Sequence, residues 1–181
     1  MTDFSAYNLN EVLNKSLKNI NFKSPTPIQE KSIPLILKGN DILGSAQTGT
    51  GKTAAFCIPI LELLMKSSRG SLLVMIPTRE LAKQVLDVID SLLGFKSSIN
   101  TATLIGGESM SKQLSELKKR PRIYVGTPGR INDHLQRGSL NLHDAKYLVL
   151  DETDRMLDMG FEVQINKIIK FLPKNKQVLM F

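Results

Sequence analysis

The chain has one cysteine and no tryptophan, and aromatic residues fill only 6% of its 181 positions. A single thiol, Cys57, permits no internal disulfide, which excludes the stapled scaffolds of small secreted domains. No apolar run approaches the ~18 residues that a membrane span requires, and even the stretch at 71–76 stops at Pro77. The opening Met1-Thr2-Asp3-Phe4-Ser5 carries neither a basic nor an apolar segment of the kind found in secretory leaders. Internal repeats and low-complexity tracts are lacking too. These absences predict a soluble, cytoplasmic protein without a membrane partner. Hydrophobic residues at 41% suffice for one closed core. Charge leans one way, with 24 Lys and Arg against 17 Asp and Glu for a net +7, an excess that suits a polyanionic partner without demanding one.

What the sequence does contain is alternation. Residues 9–20 carry Leu9, Val12, Leu13, Leu17 and Ile20 on one helical stripe. Pro27 suits the first turn of a second helix, which Pro34 bends or ends. Beyond Gly39, short apolar runs at 41–44, 72–76, 101–105, 122–125, 147–150 and 177–181 read as strands. Helix-length segments at 53–66, 79–93, 110–119 and 161–171 fall between them. Several of the runs are apolar throughout, the pattern of strands covered on both faces. The fold class is therefore α/β, a mostly parallel central sheet with helices on both sides. Such sheets take ligands where loops leave the carboxyl ends of the strands.

The loop after the first strand is Ser45-Ala46-Gln47-Thr48-Gly49-Thr50-Gly51-Lys52-Thr53, a phosphate-binding loop with Ala46 at the position of its usual first glycine. Gly49 and Gly51 permit a tight arch whose backbone N–H groups converge on phosphate oxygens. The following helix directs its positive end to the same place. Lys52 can reach the outer phosphates, and the Thr53 hydroxyl can ligate Mg²⁺. A second signal is Asp151-Glu152-Thr153-Asp154, where acids end a hydrophobic strand. Asp151 is placed to hold Mg²⁺, directly or through water, and Glu152 to orient or deprotonate an attacking water. An acidic helix start is the plainer alternative for these acids; beside a phosphate loop, nucleotide hydrolysis is favoured.

Together these residues resemble the N-terminal RecA-like domain of a DEAD-box RNA helicase, over essentially the whole chain. Phe22 to Gln29 is similar to the Q motif with Phe4 upstream, residues 46–53 to motif I, and Pro77-Thr78-Arg79-Glu80-Leu81-Ala82 to motif Ia. Gly106-Gly107 is similar to the GG motif, Thr127-Pro128-Gly129-Arg130 to motif Ib, and residues 151–154 to motif II, with a sequel through Phe161 that also fits. The resemblance implies ATP and Mg²⁺ as cofactors. Gln29 would read the adenine edge, Phe22 would stack on the ring, and Thr26 would support the site. Gln47, Thr48, Gly49, Thr50, Gly51, Lys52 and Thr53 would hold the phosphates, with catalysis on Lys52, Asp151 and Glu152. Thr78, Arg79, Gly107, Thr127 and Arg130 would hold an RNA strand by its backbone, with little sequence preference. From pattern alone, Gln29 reads as a surface helix residue, and the two Thr-led segments read as helix caps with solvated arginines.

Two positions depart from the family pattern: Thr153 replaces its Ala, and Asn21 stands where Gly is usual. ATPase chemistry is expected to survive Thr153, and Asn21 to keep a left-handed turn. In the family, the strand at 177–181 leads into a Ser-Ala-Thr motif and then a second RecA-like domain, so the chain is expected to be one half of a motor, hydrolysing ATP slowly alone. Alternatives are a DNA-directed phosphate-loop ATPase and an ATP-gated RNA clamp. His134 and His143 lack partners at metal spacing. Cys57 and the methionines are read as core, and the basic run at 118–122 as a solvated helix end.

Overall fold

The computed structural model describes residues 3–47, 49–94 and 97–181. A short 3₁₀ turn at Phe4–Tyr7 precedes α1 (Glu11–Asn19) and α2 (Pro27–Leu37). Asn10 caps α1 by accepting from the N–H groups of Val12 and Leu13. Thr26 and Gln29 form a capping box at the start of α2. Pro34 is accommodated within α2 and does not end it.

The alternating part follows as β1 (Ile42–Leu43), α3 (Lys52–Lys66), β2 (Ser71–Met75), α4 (Arg79–Leu93), β3 (Thr101–Leu104), α5 (Met110–Lys118) and β4 (Ile123–Gly126). It continues with α6 (Pro128–Gln136), β5 (Ala145–Leu150), α7 (Thr153–Asp158), α8 (Glu162–Ile169) and β6 (Gln177–Met180). The described strands form one sheet in the order β1-β6-β5-β2-β4-β3, and every pairing is parallel. In β2 the side chains of Leu72 and Val74 join one hydrophobic cluster, with α1 to α4, while Leu73 and Met75 join another, with α6 to α8. That two-sided burial is why the strand reads as an unbroken apolar run. No described helix is long and apolar enough to cross a membrane.

Strand order sorts the loops. The turns after β1 and β5 lie two strands apart with β6 between them, and the turns after β2, β4 and β3 are immediate neighbours. One edge of the sheet thus carries two groups of loops side by side.

Candidate active site and nucleic-acid interface

The phosphate loop leaves β1 and enters α3 through Gly51, whose φ is +87°. A Cβ at Gly51 would run into the Gln29 side chain, so glycine is required there by both conformation and space. Gln29 is 2% exposed. Its Nε2 donates to the Gly51 carbonyl at 3.0 Å, and its Oε1 accepts from the Thr26 N–H at 3.0 Å. The Thr26 hydroxyl donates to the Thr50 carbonyl at 2.8 Å. The start of α2 therefore grips the loop by two consecutive carbonyls. Pattern alone reads Gln29 as a surface residue; its amide is instead buried and ties one of its two N–H donors to a backbone 22 residues away. Gln47 is exposed, and its carbonyl accepts from the Thr50 hydroxyl at 2.7 Å. Phe22 is partly exposed and stacks on the buried Phe4 ring, with centroids 6.3 Å apart. Asn21 holds the left-handed turn, φ 58°. Thr48 lies outside the described residues.

At the end of β5, Asp151 is 7% exposed. Burial pushes its carboxyl up to about 6 against the opposing pull of Lys52; Glu152 adds to the rise, and the Glu152 backbone N–H opposes it. Glu152 adopts a left-handed backbone, φ 54° and ψ 52°, a conformation that a non-glycine residue holds at some cost. Its Oε2 accepts from Arg155 Nη1 at 3.0 Å. The turn is tied down by backbone bonds: Asp151 N–H to the Met75 carbonyl at 3.0 Å, Phe181 N–H to Leu150 at 2.9 Å, and Thr153 N–H to Phe181 at 3.1 Å. Thr153 spends its extra hydroxyl on the Leu150 carbonyl at 3.0 Å, so this departure leaves no orphaned polar group. A buried, upward-shifted carboxyl near a lysine, with a threonine hydroxyl opening α3, suits a hard cation with oxygen ligands. Among the described residues no cluster of three or more His, Cys, Asp or Glu could hold a metal. Magnesium held by Asp151 and Thr53 would thus need phosphate and water oxygens to complete its shell.

The neighbouring loops form an open groove of about 590 Å³ lined by Thr78, Arg79, Gly106, Thr127 and Arg130. Thr78 caps α4 by accepting the Leu81 N–H at 3.3 Å, so the capping role and the groove position coincide. The Arg79 guanidinium lies against Gly107, where any Cβ would strike it, and Gly107 has φ +73°. The Thr127 N–H donates to the Leu104 carbonyl at 3.0 Å, joining the ends of β4 and β3. Arg130 is not a free solvated cation: its side chain is 15% exposed, its Nη1 donates to the Glu108 carbonyl at 3.3 Å, and its Nε lies 3.7 Å from Asp133 Oδ2. Two helix N-termini and two guanidinium groups favour an anion there, while Glu80 and Asp133 temper the charge. Met159 and Phe161 supply an apolar wall to the same groove. Met159 is 49% exposed, against the expectation that the methionines fill the core.

Two further expectations meet different outcomes. Cys57 is fully buried, and burial, with Asp151 adding to it, drives its thiol well up; it behaves as a small core residue. Arg122, the last of the basic run, is not solvated. It donates to the carbonyls of Gly70, Leu64 and Arg69 at 2.9, 3.0 and 3.2 Å, cross-linking the opposite end of the sheet.

Fold and loops together define a RecA-like phosphate-loop domain, with the glycine arch and acidic turn beside a groove that holds two guanidinium groups on one sheet edge. A family model described as DEAD/DEAH box helicase matches residues 26–181, and the chain belongs to that family. It is 47% identical to the ATP-dependent RNA helicase CshA of Listeria monocytogenes, spanning all of this chain and 35% of that protein. Identity is 44% to the ATP-dependent RNA helicase DeaD of Haemophilus influenzae, covering 100% of this chain and 30% of the relative. The crystal structure of a DEAD box protein from the hyperthermophile Methanococcus jannaschii superposes with a TM-score of 0.93 at 43% identity, covering all of this chain and 50% of that one. The chain thus spans about a third of the length of these curated relatives.

Proposed function

We propose that the chain is the ATP-binding and RNA-binding half of an ATP-dependent RNA helicase, coupling ATP hydrolysis to RNA duplex separation or RNA–protein remodelling. One observation carries this reading: a single sheet edge sets the phosphate loop and acidic turn beside a groove lined by Thr78, Arg79, Thr127 and Arg130. The names of the relatives, ATP-dependent RNA helicases, support it. In this reading Gln47, Thr48, Gly49, Thr50 and Gly51 hold the triphosphate together with the amine of Lys52. Gln29 and Phe22 take the adenine, with Thr26 between base and loop. Glu152 orients and deprotonates water; Asp151 and Thr53 hold magnesium, which neutralises phosphate charge when bound. Arg79, Gly107, Thr127, Arg130 and Thr78 take phosphates and 2′-hydroxyls of one strand.

A second RecA-like domain would close over both sites and supply the arginine of phosphoryl transfer, a contribution worth about 10³–10⁵ in turnover where dissected. The test measures ATP turnover by this chain and by a longer one that includes such a domain, with single-stranded RNA, single-stranded DNA or neither. Strong stimulation of the longer chain by RNA is expected, with slow basal turnover here. Equal stimulation by DNA would replace RNA in the reading, and tight RNA binding without turnover would make the protein a clamp.

A further inference from the structure

A chain of buried polar groups runs beneath the groove. His134 on α6 is fully buried, with Nδ1 2.8 Å from Ser139 Oγ and Nε2 2.9 Å from Gln113 Oε1. Gln113 on α5 is fully buried too, and its Nε2 donates to the Ile105 carbonyl at 2.8 Å. Commitment of the amide nitrogen to that carbonyl turns the amide oxygen toward His134. The ring then carries a proton on Nε2, and the single Ser139 hydroxyl proton has two acceptors in reach, Nδ1 at 2.8 Å and the His134 carbonyl at 3.1 Å. Burial and the nearby Arg130 lower the His134 pKa, Arg137 adding to this and Asp133 opposing it, in keeping with a neutral ring.

The ends of this chain matter. Ile105 immediately precedes Gly106 and Gly107, and His134 sits on the helix that Thr127 opens and that bears Arg130. Around the relay the core is aliphatic, with Leu104, Ile131 and Leu135 all buried. Apolar residues would fill that volume without desolvating two polar side chains. What apolar packing lacks is direction: a completed hydrogen-bond chain fixes one relative setting of the segments it joins.

We propose that Gln113 and His134 are positioning residues for RNA, whose buried relay locks the Gly106–Gly107 loop in register with Thr127 and Arg130. The inference rests on the RNA reading of the groove. It accounts for two fully buried polar side chains, Gln113 and His134, that do not line the groove.

The test uses the full chain with Gln113→Leu, His134→Leu, His134→Gln and Arg130→Ala. Single-stranded RNA affinity is read by fluorescence anisotropy with a magnesium–ATP analogue present, beside nucleotide affinity and amide hydrogen exchange at residues 106–108. Both leucine variants should weaken RNA about three- to tenfold, the equivalent of one or two lost hydrogen bonds. They should also speed exchange at 106–108 and leave nucleotide affinity within about twofold. His134→Gln, whose amide can still donate to Gln113, should recover most of the RNA affinity, which mere filling of space would not explain. Folded leucine variants that bind RNA like the wild type, or a glutamine variant as weak as His134→Leu, would overturn the relay. Should a leucine variant not fold, Gln113→Glu decides, since it keeps an acceptor for His134 and loses the donor to Ile105. It too should weaken RNA and speed exchange, and unchanged values would overturn the proposal. Wild-type chain that binds no RNA, or RNA binding untouched by Arg130→Ala, would overturn the groove reading and this inference with it.

Discussion

Asp151→Asn should make the nucleotide-free domain more stable at neutral pH. In the folded chain the Asp151 carboxyl is raised from 3.8 to about 6, chiefly by burial. Because the folded state binds its proton more tightly than the unfolded state, stability falls as pH rises from 3.8 through 6. Below that window the cost vanishes; above it the full cost applies, about 3 kcal/mol for a rise of this size. At pH 4.5 the same linkage leaves about 1 kcal/mol. Asparagine has nearly the same shape and no charge, but its buried amide N–H₂ forfeits about 1 kcal/mol at any pH. The variant should therefore exceed the wild type by about 2 kcal/mol at pH 8, or roughly 4–8 °C in melting temperature for a chain of this size. The gap should close near pH 4.5. Thermal melts across this range, without nucleotide and with chelator, read the difference directly. Adding magnesium and ATP should invert the order, because only the wild type gains the bound ion. A gap independent of pH, or a variant less stable at pH 8, would refute the claim that a desolvated carboxylate strains this site.

Other perturbations separate the parts of the molecule. Glu152→Gln should cut RNA-stimulated turnover of the longer chain by about 10²–10⁴ with ATP affinity kept within a few-fold; retained turnover would remove Glu152 as the base. Gly107→Ala meets both a positive φ and the Arg79 guanidinium, so RNA affinity measured by titration should fall about tenfold while ATP affinity holds. The buried Glu62 carboxylate accepts the Asn10 N–H at 2.7 Å and lies 2.8 Å from Lys66 Nζ without a well-aligned hydrogen bond. Glu62→Ala should cost about 2–4 kcal/mol in denaturant melts, and Glu62→Gln, which keeps the acceptor, clearly less.

Where chemistry is local, the sequence was legible. Residues 79–93 form the expected helix to the residue, because Thr78 caps it and its apolar stripe is regular. The first strand is shorter than expected, Ile42–Leu43, since it pairs only with β6 and turns at once into the loop. The end of α6 and the six residues of α7 were not delineated. Asn132 and His134 break the apolar stripe of α6 with partners on other elements, and α7 begins from the left-handed Glu152. The local pattern reads correctly where Gly49 to Thr53 and Asp151-Glu152 fall in the fold, the first between a strand and a helix and the second at a strand end. What escaped depends on distant partners: Gln29 spent on Gly51, Gln113 joined to His134 across 21 positions, Arg122 knitted to Gly70. No pattern of spacing carries such pairings, because each is settled only when the helices dock.

The glycine arch and the acidic turn are anchored unequally. The acidic turn is stitched to β2 and to the end of β6 through main-chain bonds that any sequence could make, whereas the arch is leashed by the Thr26 hydroxyl and the Gln29 amide. On the proposed reading, substitution at either of those positions would retune how firmly nucleotide is grasped while the carboxylates keep their alignment. Affinity and chemical competence would then be separately adjustable, so a lineage could trade one against the other in single steps.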